Sequence, residues 1–154
     1  MKKVIFLLAL ALIVAGGAFA QRVGDTVQLG GQTWAVQSIS GDTATIRKVR
    51  SLDGVWVSSV GHIITINGSI GVYTQIASTA VWQDAVSKGY VKVGDQNMRN
   101  LTSSGNLRWT GQVLTLGYSG NVATRTQWDN TTITMNADGQ SFRTSSGTTY
   151  TRRQ

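Results

Sequence analysis

The sequence predicts an all-β fold in which antiparallel up-and-down hairpins form a small barrel or a sandwich, with one short helix near 79–88. The chain has 18 glycines and no proline, and Thr, Val and Ile dominate the segments between glycines, which is typical of strands. Several segments alternate with a period of two, as in Leu114, Leu116 and Tyr118, which indicates strands with one buried face. Five of the seven acidic residues are aspartates beside a glycine, a pairing that favours tight turns between strands.

Residues 1–20 have the features of a signal peptide. Lys2 and Lys3 precede the apolar run Val4–Ala15, and Ala18-Phe19-Ala20 forms an A-x-A cleavage site. A membrane anchor is the alternative, but the apolar run is short for a membrane span. The chain has no cysteine, so it has no lipid attachment site of the lipoprotein type. We therefore expect a secreted or periplasmic protein with no integral membrane span after cleavage.

The charge of the chain is moderately positive. The formal net charge is +7, and Lys2 and Lys3 of the predicted signal peptide contribute two of these charges. The remaining basic residues are scattered, without the long basic face that nucleic-acid binding requires. We expect no nucleic-acid partner; a solvated surface and an affinity for an anionic polymer both stay open.

Residues 21–50 are predicted to form an N-terminal three-stranded β-meander. Its strands are TVQL, QTWAVQSI and TATIRKV, with Gly30-Gly31 and Gly41-Asp42 near the hairpin tips. The sequence leaves open whether this meander joins the following domain or forms a lobe of its own.

Residues 51–154 are predicted to form the main β domain. The stretch DGVWVSSVGHIITINGSIGVYTQI contains three strands separated by Gly61-His62 and Asn67-Gly68-Ser69. Further strands are predicted at YVKV, MRNLTS, LRW, QVLTLGY, VATRTQW, TTITMNADG, QSFRT and TTYTRR. Such a hairpin series usually closes, because open strand edges promote aggregation. A barrel in the outer membrane is less consistent with these short strands, which have polar residues on both faces.

One segment of this domain has helical rather than strand periodicity. In STAVWQDAVSKG, the residues Val81, Trp82, Ala85 and Val86 recur at helical spacing and share one face. Gly89 suits the position after the helix. The spacing predicts a helix over 79–88 that packs against a sheet or closes a barrel end.

The start of this domain resembles the lipocalin-like (calycin) group of small barrels. The resemblance is carried by Gly54-Val55-Trp56 and by the Asn-x-Asp-Gly turn at 136–139, and it covers Leu52–Arg153. It implies that Trp56 plugs one barrel end and that a basic residue from a late strand packs across it. Arg143 is the candidate for that residue. The resemblance further implies a cup that binds a small apolar or amphipathic ligand without catalysing a reaction.

The residues that catalysis or metal binding would need are few. The chain has one histidine, His62, and no cysteine, whereas a zinc site needs three or four suitable ligands. No G-x-S-x-G nucleophile motif occurs, and only Asp84 and Asp129 are acids that do not adjoin a glycine. We expect no enzymatic activity, no metal site and no cofactor.

The aromatic residues are better candidates for a functional site. The chain has five tryptophans, more than a small barrel readily buries, so one or two are expected to line a cavity. Trp128 shares a strand face with Thr124 and Thr126, which suits a partly polar binding surface. The predicted ligand-binding residues are Trp109, Trp128, Tyr73, Tyr118 and Arg99.

These observations lead to one leading hypothesis of function. We expect a secreted or periplasmic, non-enzymatic β-barrel that binds a small apolar, amphipathic or carbohydrate ligand. The alternative is a cell-surface structural or adhesive protein that self-associates through strand edges or an aromatic patch. An inhibitor of a secreted enzyme is a third reading that the sequence does not separate from these two.

Overall fold

The structure is a computed structural model that describes residues 23, 25–29, 32–41, 43–48, 50–105 and 107–153. The predicted signal peptide, residues 1–20, lies outside this described part. No helix among the described residues is long and apolar enough to cross a membrane. The chain divides into two compact units, and the division falls between Arg50 and Ser51.

The described elements are eleven strands and one helix in chain order. They are β1 (Thr26–Leu29), β2 (Gln32–Ser40), β3 (Thr43–Lys48), β4 (Gly54–Ser58), β5 (Ile63–Asn67), β6 (Ile70–Gln75), α1 (Ala80–Ser87), β7 (Gln96–Gly105), β8 (Arg108–Ser119), β9 (Val122–Met135), β10 (Ser141–Thr144) and β11 (Thr149–Arg152).

The first unit is an antiparallel sheet in the order β1-β2-β3. Trp34 of β2 lies opposite Val27 of β1 and Lys48 of β3. The register of β2 against β3 shifts between Val36 and Ser38, and Val36 is buried. This unit has the three-stranded topology that the turns at Gly30-Gly31 and Gly41-Asp42 predict.

The second unit is a closed eight-stranded barrel. Each strand from β4 to β11 pairs with the next one in antiparallel orientation, and β11 pairs back to β4, where Arg152 lies opposite Trp56. Within the part of the unit that the structure describes, every strand therefore has a paired neighbour on both sides, an arrangement that avoids the free strand edges that promote aggregation. The predicted all-β fold of up-and-down hairpins is therefore confirmed, as a barrel rather than a sandwich, and α1 matches the predicted helix.

Three strand predictions differ from the structure. The YVKV segment is a loop after α1, in which the Tyr90 amide donates to the Ala85 carbonyl. Two pairs of predicted strands are each a single long strand, because β8 continues through Gly111 and β9 continues through Asp129. Asp129 lies between the two predicted strands that form β9. Its carboxylate has a partner on β8, because the hydroxyl of Thr115 donates to Asp129 Oδ2 at 2.6 Å.

Apolar and aromatic side chains fill much of the barrel interior. Ile64, Ile66, Met98 and Ile133 are at most 1% exposed. An aromatic series runs through the same core: the Trp56 ring contacts Phe142 edge-on at 4.6 Å between centroids. These side chains belong to one hydrophobic core cluster within the barrel.

Candidate functional site

Near one end of the barrel, Trp56 is fully buried. Its indole Nε1 donates to the Leu52 carbonyl at 2.7 Å, and the guanidinium carbon of Arg152 lies 4.2 Å from the indole ring centroid. Arg152 also donates to the carbonyls of Ser51, Asp53 and Gly139. The guanidinium of Arg152 thus combines a cation–π contact with three carbonyl acceptors.

The basic residue on Trp56 is Arg152, and the prediction of Arg143 for this position is wrong. Arg143 is exposed, because it alternates along β10 with the buried Phe142 and Thr144. Arg152 lies directly opposite Trp56 in the pairing of β11 with β4. The last two predicted strands contain three arginines, Arg143, Arg152 and Arg153, and only the strand register distinguishes the one that lies on Trp56.

The other end of the barrel holds a cavity of about 400 Å³, a size typical of small-molecule sites. Residues from the β4–β5 and β10–β11 turns, from α1 and from the β8–β9 hairpin line it. Its polar and aromatic lining consists of His62, Tyr73, Trp82, Asn97, Thr115, Tyr118, Ser146, Thr148 and Tyr150. None of the described lining residues is Asp, Glu, Lys or Arg. The cavity therefore suits an uncharged ligand.

His62 is buried at the β4–β5 turn, 2% exposed. Its Nδ1 accepts a hydrogen bond from the Ala77 amide at 2.9 Å, so in the neutral ring the proton is on Nε2. Desolvation by burial lowers the pKa of His62 to about 4, and the ring is neutral at physiological pH. Nε2 is shielded from solvent and has no hydrogen-bond partner among the described residues.

Two phenols lie beside Asn97 in the same region. The Tyr150 hydroxyl donates to Asn97 Oδ1 at 3.5 Å, and burial raises the pKa of Tyr150. Burial also raises the pKa of Tyr73 to about 12, and the Asn97 side chain offsets part of the rise. The Asn97 side chain is near the Tyr73 hydroxyl, but no described residue is placed to form a hydrogen bond with it. Both phenols stay protonated at neutral pH, and of the two only the Tyr73 hydroxyl lacks an acceptor among the described residues.

Trp82 of α1 packs against the rings of His62 and Tyr73. Its ring centroid is 4.3 Å from that of His62, with the rings at 87°, and 6.2 Å from that of Tyr73. The helix is tied to β9, because Asp84 Oδ2 accepts from the Ala123 amide at 2.7 Å and Lys88 Nζ donates to the Ala123 carbonyl at 2.9 Å. These two bonds hold the helix that carries Trp82.

Of the predicted ligand-binding residues, the structure places Tyr73 and Tyr118 at the cavity. Trp109 is buried in the barrel core. Trp128 lies opposite Leu114, five residues along β8 from Trp109 in an unbroken register, so the two tryptophans are on opposite faces of the hairpin. Arg99 lies over the Trp128 ring, and its guanidinium carbon is 4.1 Å from the ring centroid.

A second depression, of about 450 Å³, is polar. Its lining includes the amides of Asn100, Gln112 and Asn130 together with the hydroxyls of Thr110 and Ser145. Arg99 connects it to Trp128, because Arg99 Nε donates to Gln112 Oε1 at 2.8 Å. Asn100 has a φ of +55°, a conformation that non-glycine residues rarely adopt.

The sequence reasoning missed His62, Trp82, Asn97 and Tyr150 as cavity residues. In the sequence, His62 falls in a predicted turn and Trp82 on one face of the predicted helix, and neither position indicates a cavity. A signal was present for Tyr150, because it is in phase with Arg152 along β11.

No protein-family model, curated protein or solved structure matches the chain.

Proposed function

We propose that this protein is a secreted or periplasmic, non-enzymatic barrel that binds a small apolar or amphipathic ligand in the cavity beside His62. The observation that carries the proposal is a cavity of about 400 Å³, with aromatic and aliphatic lining, in a barrel whose opposite end is plugged. Two buried polar atoms have no hydrogen-bond partner among the described residues, His62 Nε2 and the Tyr73 hydroxyl. They favour a ligand, because such atoms are costly to leave unpaired.

The closed end supports the lipocalin-like interpretation. A glycine-x-tryptophan strand start and an arginine over the tryptophan ring are both present, with Arg152 from the last strand in the role of the basic residue. A barrel closed at one end is the architecture that suits a binding cup.

A cavity-blocking variant tests the proposal. Thr148 is a half-buried lining residue, and Thr148→Trp is expected to fill the space, whereas Thr151→Trp adds the same ring at an exposed position of β11. Protein purified under native conditions is compared by native mass spectrometry, before and after incubation with fatty alcohols and aromatic ketones. We expect bound mass on the wild type and on Thr151→Trp only. Equal occupancy of both variants, or none in any of the three proteins, would contradict the proposal.

The polar depression favours a glycan as a second candidate ligand. Amides and hydroxyls beside a tryptophan are groups that bind sugar hydroxyls and stack on sugar rings. A glycan array with wild type and Asn130→Ala tests this candidate: retained glycans should be lost in the variant. Cavity ligands should be unaffected, because Asn130 is not among the residues lining the cavity.

Self-association stays the alternative from a different class. Tyr118 and Val122, near the tip of the β8–β9 hairpin, are 65% and 52% exposed, and exposed apolar side chains favour protein contacts. Light scattering of the wild type and of a Tyr118→Ser, Val122→Ser double variant distinguishes the two cases. Concentration-dependent oligomers that only the wild type forms would favour self-association.

A further inference from the structure

We infer that the cavity selects ligands carrying a neutral acceptor oxygen, such as a ketone, aldehyde or ester, which receives hydrogen bonds from His62 Nε2 and the Tyr73 hydroxyl. This inference rests on the proposed function, since it specifies the chemistry of the same cavity. It follows from the direction of the hydrogen bonds that the protein already makes there.

The first donor is determined by the backbone. The Ala77 amide donates to Nδ1 of His62 at 2.9 Å, and an amide N–H needs a nitrogen lone pair there. The proton of the neutral ring is therefore on Nε2, which can only donate. Among the described residues no acceptor is present for it.

The second donor is the Tyr73 hydroxyl. The neighbouring phenol of Tyr150 uses Asn97 Oδ1 as its acceptor, whereas the Tyr73 oxygen has no partner within the described residues. The His62 and Tyr73 rings are 5.1 Å apart between centroids. One acceptor oxygen with two lone pairs is the group that two adjacent donors recognise.

The acceptor is expected to be neutral. A carboxylate in this cavity would lose its hydration without gaining a cation, because none of the described lining residues is Lys or Arg and His62 is uncharged at neutral pH. A carbonyl oxygen accepts the same two hydrogen bonds without that cost.

Trp82 packs against the two rings that carry the donors, those of His62 and Tyr73. Its ring lies nearly perpendicular to that of His62 at 4.3 Å and shields Nε2 from solvent together with its neighbours. An N–H group against an aromatic ring is a weak interaction, so a carbonyl oxygen that displaces the ring forms a stronger one. Ligand binding therefore moves the Trp82 side chain.

A matched pair of probes tests the inference: 2-acetylnaphthalene, and 2-isopropenylnaphthalene, in which a methylene group replaces the carbonyl oxygen. Calorimetry on the purified protein should show about tenfold tighter binding of the ketone, the value of one or two net hydrogen bonds. Tyr73→Phe should remove most of that difference, while the control Tyr90→Phe, a partly exposed tyrosine outside the cavity, should keep it. Equal binding of both probes to the wild type overturns the acceptor inference and leaves the proposed function standing.

A spectroscopic measurement separates a hydrogen bond from a packing effect. The carbonyl stretch of bound 2-acetylnaphthalene should lie at lower frequency in the wild type than in Tyr73→Phe. Because His62 is the only histidine, its side-chain ¹⁵N signals are unambiguous, and the ketone should shift the Nε2 proton downfield. A proton found on Nδ1 of His62 instead contradicts the inference. If neither probe binds, that result contradicts the inference and also the proposed function for ligands of this size.

Discussion

Gly54 has a φ of +133°, and a Cβ atom at this position would collide with Nη1 of Arg152. The glycine of Gly54-Val55-Trp56 therefore has a physical role, since it makes room for the arginine that lies on Trp56. The sequence motif indicated the plug, but the need for glycine becomes visible only with Arg152 in place.

Gly54→Ala is expected to reduce the free energy of unfolding by about 2 kcal/mol or more, because it combines an unfavourable φ with displacement of the guanidinium. The control is Gly120→Ala: Gly120 has a φ of +57° and open space around its Cβ position, so the backbone strain alone should cost about 1–2 kcal/mol. Urea unfolding of the two variants measures the difference. Equal losses would mean that the contact with Arg152 has no influence.

The buried, neutral His62 makes stability depend on pH. Its pKa is about 4 in the folded protein, below the ordinary value of 6.5, so the unfolded chain takes up the proton first as the pH falls. The stability that the neutral ring contributes is fully present above pH 6.5 and is lost between pH 6.5 and 4. At pH 5 the loss relative to pH 7 should be about 2 kcal/mol.

Urea unfolding of the wild type and His62→Gln at pH 7 and pH 5 tests this pH dependence. Other histidines do not contribute, because His62 is the only one in the chain, and unperturbed aspartates titrate mainly below pH 5. We expect the pH-dependent loss to be much smaller in His62→Gln. The same slope in both proteins would show that His62 is already protonated in the folded state at pH 5.

At the scale of elements, the periodicity of the sequence predicted the hairpins and the helix but not the lengths of β8 and β9. Glycine and Asp-Asn pairs usually end strands. Here Gly111 lies where a Cβ would meet Leu101, and the Asn130 amide oxygen accepts from Gln112 at 3.2 Å. Both residues are explained by neighbours on adjacent strands, which a single sequence does not identify.

Asp84 joins α1 to β9, because its carboxylate accepts from the Ala123 amide and from Lys88. The Lys88 hydrogen bond and then the Ala123 amide lower the pKa of Asp84. Asp84→Ala should speed hydrogen exchange of the α1 amides and of the Ala123 amide, without changing exchange in β4 and β5.

Ser87→Ala is the matched control, since the Ser87 hydroxyl donates to the Asp84 carbonyl within the helix. Hydrogen exchange followed by mass spectrometry should show wild-type rates at Ala123 in this variant. Unchanged exchange at Ala123 in Asp84→Ala would show that the carboxylate does not hold the helix.

At the scale of the whole molecule, closure of the barrel decides which residues meet at the cavity. Tyr73 and Tyr118 were recognised as candidates from the sequence because aromatic residues are enriched in binding sites. Asn97 and Tyr150 are 53 positions apart in the chain, and they meet only because β11 pairs back to β4. Such a long-range pairing depends on register around all eight strands of the barrel, which alternation within each strand does not determine.

The barrel unit should fold without the N-terminal sheet. All residues of its hydrophobic core cluster lie between Leu52 and Tyr150, and the division between the units falls just before Ser51. A chain of about 100 residues can bury enough surface for independent stability, and the closed sheet pairs each described strand of the barrel on both sides.

A fragment of residues 51–154 should therefore give the same backbone amide resonances for β4 to β11 as the longer protein, together with a cooperative unfolding transition. A segment as short as 21–50 is below the size that usually folds alone, and as a separate peptide it should lack a cooperative transition. An unfolded or molten 51–154 fragment would mean that the barrel needs the first fifty residues, and the boundary after Arg50 would then not separate independent folding units.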